Sequence, residues 1–331
     1  MDFSRYGVPS GQWRRFTKKY PSASRDGYDG NDPSAAARLR TTQNTAREQA
    51  AGRLMTTTGL HARVSIETIQ VPSRDGHTVP IRRYTPRDEH GTAKDSPVIL
   101  FFHGGGFLFG SETTDDVLCS TIAVEKSATV LSVIYRHTPE HKHPAQHNDA
   151  WDAFQFIRCD AKGLHIDITA GIGLMGVSAG STLAAGVVLR HLAEARKTHG
   201  CKFIISGLVL SIPWLIHTDN YPFHLFASRD KSAKIQCKDT PVIPAARLGL
   251  FSDILGAQDV ADPLLNVALT PESELQGWPR TAFLIAGMDP LRDDGLLFAN
   301  SQQAFTYFRE FHMGSLGGQS FQLVRTITDV S

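Results

Sequence analysis

The pentapeptide Gly176-Val177-Ser178-Ala179-Gly180 sets one serine between two glycines, where the apolar run Gly171-Ile172-Gly173-Leu174-Met175 gives way to the Ala-rich Ser181-Thr182-Leu183-Ala184-Ala185. A sharp strand-to-helix turn crowds its middle residue, and only small neighbours leave the hydroxyl free to attack. Ser178 is the candidate nucleophile. The helix that starts beside it points its N-terminal amides and positive dipole end at the negative charge an attack creates. Upstream, the apolar Val98-Ile99-Leu100-Phe101-Phe102 ends in His103-Gly104-Gly105-Gly106-Phe107. A tight turn needs one glycine; three bare the backbone, so that its amides can approach a carbonyl oxygen as it becomes negative. Two of Gly104, Gly105 and Gly106, with the amide of Ala179, are the candidate oxyanion donors. His103 belongs to this loop and precedes the serine, so we read it as orienting the loop and not as a base.

A serine nucleophile needs an acid and a base behind it. After the apolar Thr281-Ala282-Phe283-Leu284-Ile285 comes Ala286-Gly287-Met288-Asp289-Pro290. An acidic residue just past a strand end and downstream of the serine stands where the acid belongs. Asp289 is the candidate acid; its competing role is to cap a helix from about residue 291, with Asp293 and Asp294 in the first turn. His141, His143 and His147 form H-x-H-x3-H, a spacing that in principle ligates zinc. Pro144 starts a helix among them and no cysteine is near, so no metal site is assigned. A dinucleotide loop at Gly104 to Gly110 is excluded because Phe107-Leu108-Phe109 stays apolar where a helix should open. No cofactor is implied.

These residues need a scaffold that brings them to one edge. Past Pro86, continuous apolar runs at 98–102, 129–135, 171–176, 203–211 and 281–285 alternate with helical lengths at about 114–126, 144–157 and 179–194. Runs of this kind are buried parallel strands with crossover helices, an α/β fold whose mostly parallel central sheet is flanked by helices and carries its site at the carboxyl ends of strands. Alternating apolar residues at 64–71 and 79–84 around Ser73-Arg74-Asp75-Gly76 predict a hairpin. Residues 1–62, polar and broken before a helical stretch at 35–54, form a cap-like segment, leaving 63–331 as the main domain. Periodicity is poor from 214 to about 265, so 214–250 is either an inserted cap or connecting loops, and the chain after about 300 is atypical.

Lys plus Arg number 34 against 33 Asp plus Glu, a net charge of +1, which offers no attraction to nucleic acid or an anionic membrane. Arg14, Arg15, Lys18 and Lys19 around Trp13 and Phe16 read as a solvated helix face. Cys119, Cys159, Cys201 and Cys237 are too scattered for a disulfide framework, and the start of the chain shows no apolar leader. The longest apolar stretch, 203–216, is interrupted by Pro213 and too short to span a bilayer. A cytoplasmic protein acting on a small molecule is the expectation; oligomeric state is not legible.

Four stretches in this order, HGGGF at 103–107, YRHTPEHKHPA at 135–145, GVSAG at 176–180 and DPLRDDG at 289–295, make the chain resemble the hormone-sensitive-lipase-like esterases over about 64–295. The resemblance implies an α/β-hydrolase fold, small and fairly apolar carboxylic ester substrates, no cofactor, an N-terminal segment helping to cap the acyl pocket, and a structural Asp149. It also implies a catalytic histidine about 30 residues beyond the acid, in a G-x-P-H-G-F-like turn. That position is Gln319, and glutamine takes up no proton near neutral pH. His312 is the only histidine after Asp289. Three explanations stand open: His312 substitutes from a shifted loop, the end of this chain differs from that of an active relative, or hydrolysis has been lost. The expectation is an esterase working through an acyl-enzyme; the alternative is a non-catalytic ligand-binding protein of the same fold.

Overall fold

The computed structural model describes residues 1–19, 34–87, 96–198, 202–301, 310–312 and 322–324. Nine strands form one sheet: β1 (Val64–Pro72), β2 (Thr78–Pro86), β3 (Ser96–Phe102), β4 (Thr129–Val133), β5 (Ile166–Val177), β6 (Ile205–Ser211), β7 (Thr281–Ala286), β8 (Glu310–His312) and β9 (Gln322–Val324). Their order is β1-β2-β4-β3-β5-β6-β7-β9-β8. The five central strands run parallel, as their continuous apolar runs predict; β4 is buried throughout, whereas β6 and β7 alternate in burial. The expected hairpin is β1 and β2, paired antiparallel from Val64↔Pro86 to Pro72↔Thr78. β5 starts earlier than its apolar run, since Asp167 and Thr169 hide its first residues from a search for apolar continuity. The two short strands β9, antiparallel to β7 at its carboxyl end, and β8, antiparallel to β9, had no signal in the sequence reading.

The helices are α1 (Gly11–Lys19), α2 (Ala35–Thr57), α3 (Leu60–Arg63), α4 (Asp116–Lys126), α5 (Ala145–Cys159), α6 (Ala179–Lys197), α7 (Ala233–Gln236), α8 (Ala245–Leu255) and α9 (Arg292–Ser301). Alternate residues of each strand serve opposite layers. Leu100, Phe102, Leu174, Leu210 and Phe283 face α5, α6 and α9 in the larger core, with Phe154, Leu183 and Phe298. Phe101, Val130 and Tyr84 face the other way, against Met55 of α2, Leu60 of α3 and Cys119 and Ala123 of α4. Over the α4-side face of β5, β6 and β7 lies an open trough of about 800 Å³ lined by Ile99, Leu118, Ile122, Met175, Val209 and Ala282. Helix α1 buries Trp13 and leaves Arg14, Arg15, Lys18 and Lys19 exposed. No helix among the described residues is long and apolar enough to cross a membrane. Between β6 and β7 the prolines leave only α7, α8 and isolated turns. Cys119 and Cys237 are buried free thiols and Cys159 is exposed; Cys201 lies outside the described residues.

Arg136, just past β4, and Asp149 of α5 clamp the edge that carries the site. Asp149 is fully buried and accepts from the Arg136 amide at 2.9 Å, from Nη2 at 2.7 Å and from Nε at 3.0 Å. The same guanidinium donates through Nη1 to exposed Asp75 in the hairpin turn. His143 contacts Asp262 and His147 the Leu264 carbonyl, so these two histidines tie α5 to the 262–264 loop. Removing one partner of a buried charge pair strands the other in a medium that cannot solvate it. Asp149→Ala is therefore expected to lower unfolding free energy by about 3–5 kcal/mol in urea titrations. Asp75→Ala, on the solvated side of the same arginine, is expected to change it far less.

Candidate active site

Ser178 ends β5 and precedes α6, with φ 53° and ψ −118°, a conformation that only a tightly constrained non-glycine residue keeps. The constraint comes from contact of backbone with backbone. A Cβ on Gly176 would run into the Gly180 carbonyl, and one on Gly180 into the carbonyls of Phe102 and His103. The Ser178 amide donates to the Ser211 carbonyl at 2.8 Å, and the Ser178 carbonyl accepts from the Ser181 amide at 2.9 Å. The turn is held from both sides, so its strain is carried by β6 and α6.

The glycine loop leaves β3 next to this turn. A Cβ on Gly104 would stand 3.3 Å from the Ser178 Cβ, so the loop's first peptide touches the serine. Gly105 and Gly106 have φ 135° and 61°, which glycine alone adopts freely. The amides of Phe109 and Leu108 donate to the Gly105 carbonyl and close the loop on itself. Within the described residues, the amides of Gly104, Gly105, Gly106 and Ala179 donate to no protein acceptor. Gly104 is thus in contact with the serine, and among the described residues none of these four N–H groups is already taken, as a site for a developing oxyanion requires. His103 is buried, stacks on Tyr135 at 4.2 Å, and is held well below its usual pKa, at about 4, because burial disfavours the imidazolium. A neutral imidazole with Nδ1 3.0 Å from the Gly104 carbonyl oxygen and beside the Tyr135 hydroxyl fits a loop-orienting part. Asn44 of α2 supports the far end, exchanging hydrogen bonds with the Gly110 amide and carbonyl.

Asp289 lies on the loop after β7, two strands from Ser178, a lateral offset of about 10 Å at usual strand spacing. A third group must bridge them. The Asp289 carboxyl accepts the Leu291 amide at 2.7 Å, which is the capping role weighed above, and has no other partner among the described residues. Burial lifts its pKa to about 6. Trp13 of α1, Thr240, Met288 and Pro290 close a cavity of about 20 Å³ around it, room for a single water. Gln319 lies outside the described residues. His312 belongs to β8, where its backbone pairs with Gln322 on the outer side of β9, at the carboxyl end of β7.

Asp293 and Asp294, read from the sequence as first-turn residues, prove to be fully buried. Asp294 accepts the amides of Leu215 and Ile216 and sits 3.3 Å from Lys234 Nζ; its pKa is likewise raised to about 6 by burial. Asp293 accepts from Arg292 Nε at 2.7 Å, the Ala233 amide and the Tyr221 hydroxyl. The only sequence signal for this network was the density of charge in Arg292-Asp293-Asp294, a pattern shared with any solvated helix start. Phe107 and Trp214 lie 5.6 Å apart in the core, and Phe109 packs edge-on against Phe251, which the sequence reading passed over.

Residues 99–313 match the family described as alpha/beta hydrolase fold. Esterase LipI of Mycobacterium tuberculosis is 33% identical over 205 residues, 62% of this chain and 59% of that protein. Versiconal hemiacetal acetate esterase of Aspergillus parasiticus is 31% identical over 217 residues, 66% of this chain and 63% of its own length. The chain thus matches about three-fifths of each of these two relatives. Among solved structures, a hyperthermophilic esterase from Pyrobaculum calidifontis superposes with a TM-score of 0.70 at 26% identity, covering 89% of this chain and 86% of that one. The chain belongs to the hormone-sensitive-lipase-like esterase family of the α/β-hydrolase fold.

Proposed function

We propose that this chain is a serine carboxylic-ester hydrolase acting on small, fairly apolar esters. The contact of Gly104 with Ser178, with the amides of 104–106 and of Ala179 meeting no acceptor among the described residues, carries the reading. Ser178 Oγ attacks the ester carbonyl carbon and gives up its proton to a base; the carbonyl π pair moves onto oxygen, which the amides of the glycine loop and Ala179 receive, each such donor lowering the barrier by about 3 kcal/mol. Collapse of that intermediate expels the alcohol, protonated by the base, and leaves an acyl-enzyme that water hydrolyses to the acid. Asp289 orients the base, for which His312 is the histidine of this chain downstream of the acid. The segment 1–62 and the 214–250 region cap the site, which the placement of Trp13 against Asp289 and of α8 against the glycine loop supports. The Aspergillus parasiticus relative is named for an acetate ester, which favours a small acyl group.

A second reading, ligand binding without turnover, is favoured by one observation: Gln319, which takes up no proton near neutral pH, stands where the resemblance implies the catalytic histidine. Fluorophosphonate labelling followed by peptide mapping separates the two. The hydrolase reading expects an adduct on Ser178 and hydrolysis of p-nitrophenyl acetate, both absent from Ser178→Ala; a folded protein bare at Ser178 sinks it. Gln319→His is expected to raise the rate by orders of magnitude if the remaining site is intact.

Asp289 gives an independent measurement. Because its folded-state pKa is raised, the native protein binds a proton the unfolded chain has released between about pH 4 and 6; that contribution is full at acid pH and is lost as pH rises through about 6. With the acid unbridged, Asp289→Asn is expected to stabilise the protein at pH 8 by up to about 3 kcal/mol, a gain that vanishes near pH 4. A loss of stability at pH 8 instead marks an imidazolium partner for the carboxylate.

A further inference from the structure

We infer that Phe251 of α8 is the residue that limits the acyl group to acetyl-sized substituents, an inference that rests on the ester-hydrolase reading of Ser178. The ring of Phe251 lies directly on Gly106, where any Cβ would collide with it, and meets Phe109 edge-on with centroids 5.5 Å apart and planes at 83°. Gly106 is two residues beyond Gly104, which touches Ser178, so the loop residue under the ring has its Cα at most about 7 Å from that of the residue in contact with the serine.

In a tetrahedral intermediate the oxyanion and the first acyl carbon are bonded to the same carbon atom. With the oxygen held on the glycine-loop amides, the acyl carbon is assigned to the corner that faces Gly106, so that the chain it carries would run toward Phe251. The alcohol oxygen takes another corner of the tetrahedron.

The ring is a wall and not a flap. Phe251 is 4% exposed, and its helix neighbours Leu248 and Leu255 are buried. The Ser252 and Thr218 hydroxyls are 2.6 Å apart, and the Leu255 carbonyl accepts the His143 amide at 3.0 Å, so α8 is tied to both flanking segments. A close-packed aromatic contact of this kind does not yield to one added methylene without displacing its neighbours.

The test varies acyl length at constant alcohol, with p-nitrophenyl acetate, butyrate, octanoate and decanoate. The parent is expected to lose activity steeply beyond acetate. Phe251→Ala is expected to raise kcat/KM for octanoate at least tenfold relative to acetate, and Phe251→Leu, which keeps more of the core filled, to shift the preference to butyrate. The same ranking is expected for n-alkyl boronic acids, whose binding at Ser178 is followed by thermal shift and needs no turnover. Unchanged chain-length preference in both variants and both assays overturns the inference, as does a preference that moves with the alcohol and not the acyl group. Failure of the hydrolase reading shows separately, as parent and variants that leave Ser178 unlabelled by fluorophosphonate.

Discussion

Gly180, at the first turn of α6, lies against the carbonyls of Phe102 and His103 at the end of β3, while Gly176 lies against Gly180 itself. Three backbone segments meet here with no side chain between them. That approach accompanies the unfavourable conformation of Ser178, sets its Cβ against Gly104, and leaves the amides of Gly104, Gly105, Gly106 and Ala179 without acceptors among the described residues. Everything else at the site serves to hold this junction closed: β6 through the Ser211 carbonyl, Trp214 through its amide on the Ser178 carbonyl, Thr182 through its hydroxyl on the Trp214 carbonyl, and Tyr135 through its hydroxyl on the His103 carbonyl. A junction made of backbone tolerates almost no substitution, but it also needs no partner to be preorganised.

A second tier of charge anchors the first. Asp294 holds the Leu215 and Ile216 amides, one residue beyond the Trp214 that braces the serine turn, and Asp293 holds Arg292, Tyr221 and the start of α7. Gly7 of the amino-terminal segment presses on Arg292 and Gln236, so that segment is coupled to the acid's own helix. Three carboxyl groups, Asp289, Asp293 and Asp294, meet two cations, Arg292 and Lys234, in this buried volume. Burial, with the neighbouring carboxylate adding to it, lifts the pKa of Asp289 and of Asp294 to about 6, and the excess of carboxyl groups is a charge that a positively charged imidazole would balance.

The parts of this molecule most legible in the sequence were those where backbone geometry dictates residue type. Gly104 to Gly106, Gly176 and Gly180 stand where another side chain would collide, so their spacing announced the junction before any coordinate was known. The parallel strands were legible because their apolar runs are continuous. The buried charges were not, since Asp293 and Asp294 in a first helical turn look the same whether solvent or a neighbouring amide receives them. Helix α8 and Phe251 were hidden by prolines that erase periodicity. The proton acceptor stayed open because Gln319 occupies the family's histidine position and lies outside the described residues, while His312 is placed by its backbone alone on the edge strand β8.

The trough over β5, β6 and β7 has one more consequence. Its floor includes Gly173 and Gly207, paired across adjacent strands, with neither a left-handed conformation nor a tight contact that calls for glycine. No described element covers this part of a parallel sheet, a face that such sheets ordinarily keep dry. An apolar hollow of that size, as the described residues leave it, is the kind of surface to which another apolar surface or a mild detergent adheres.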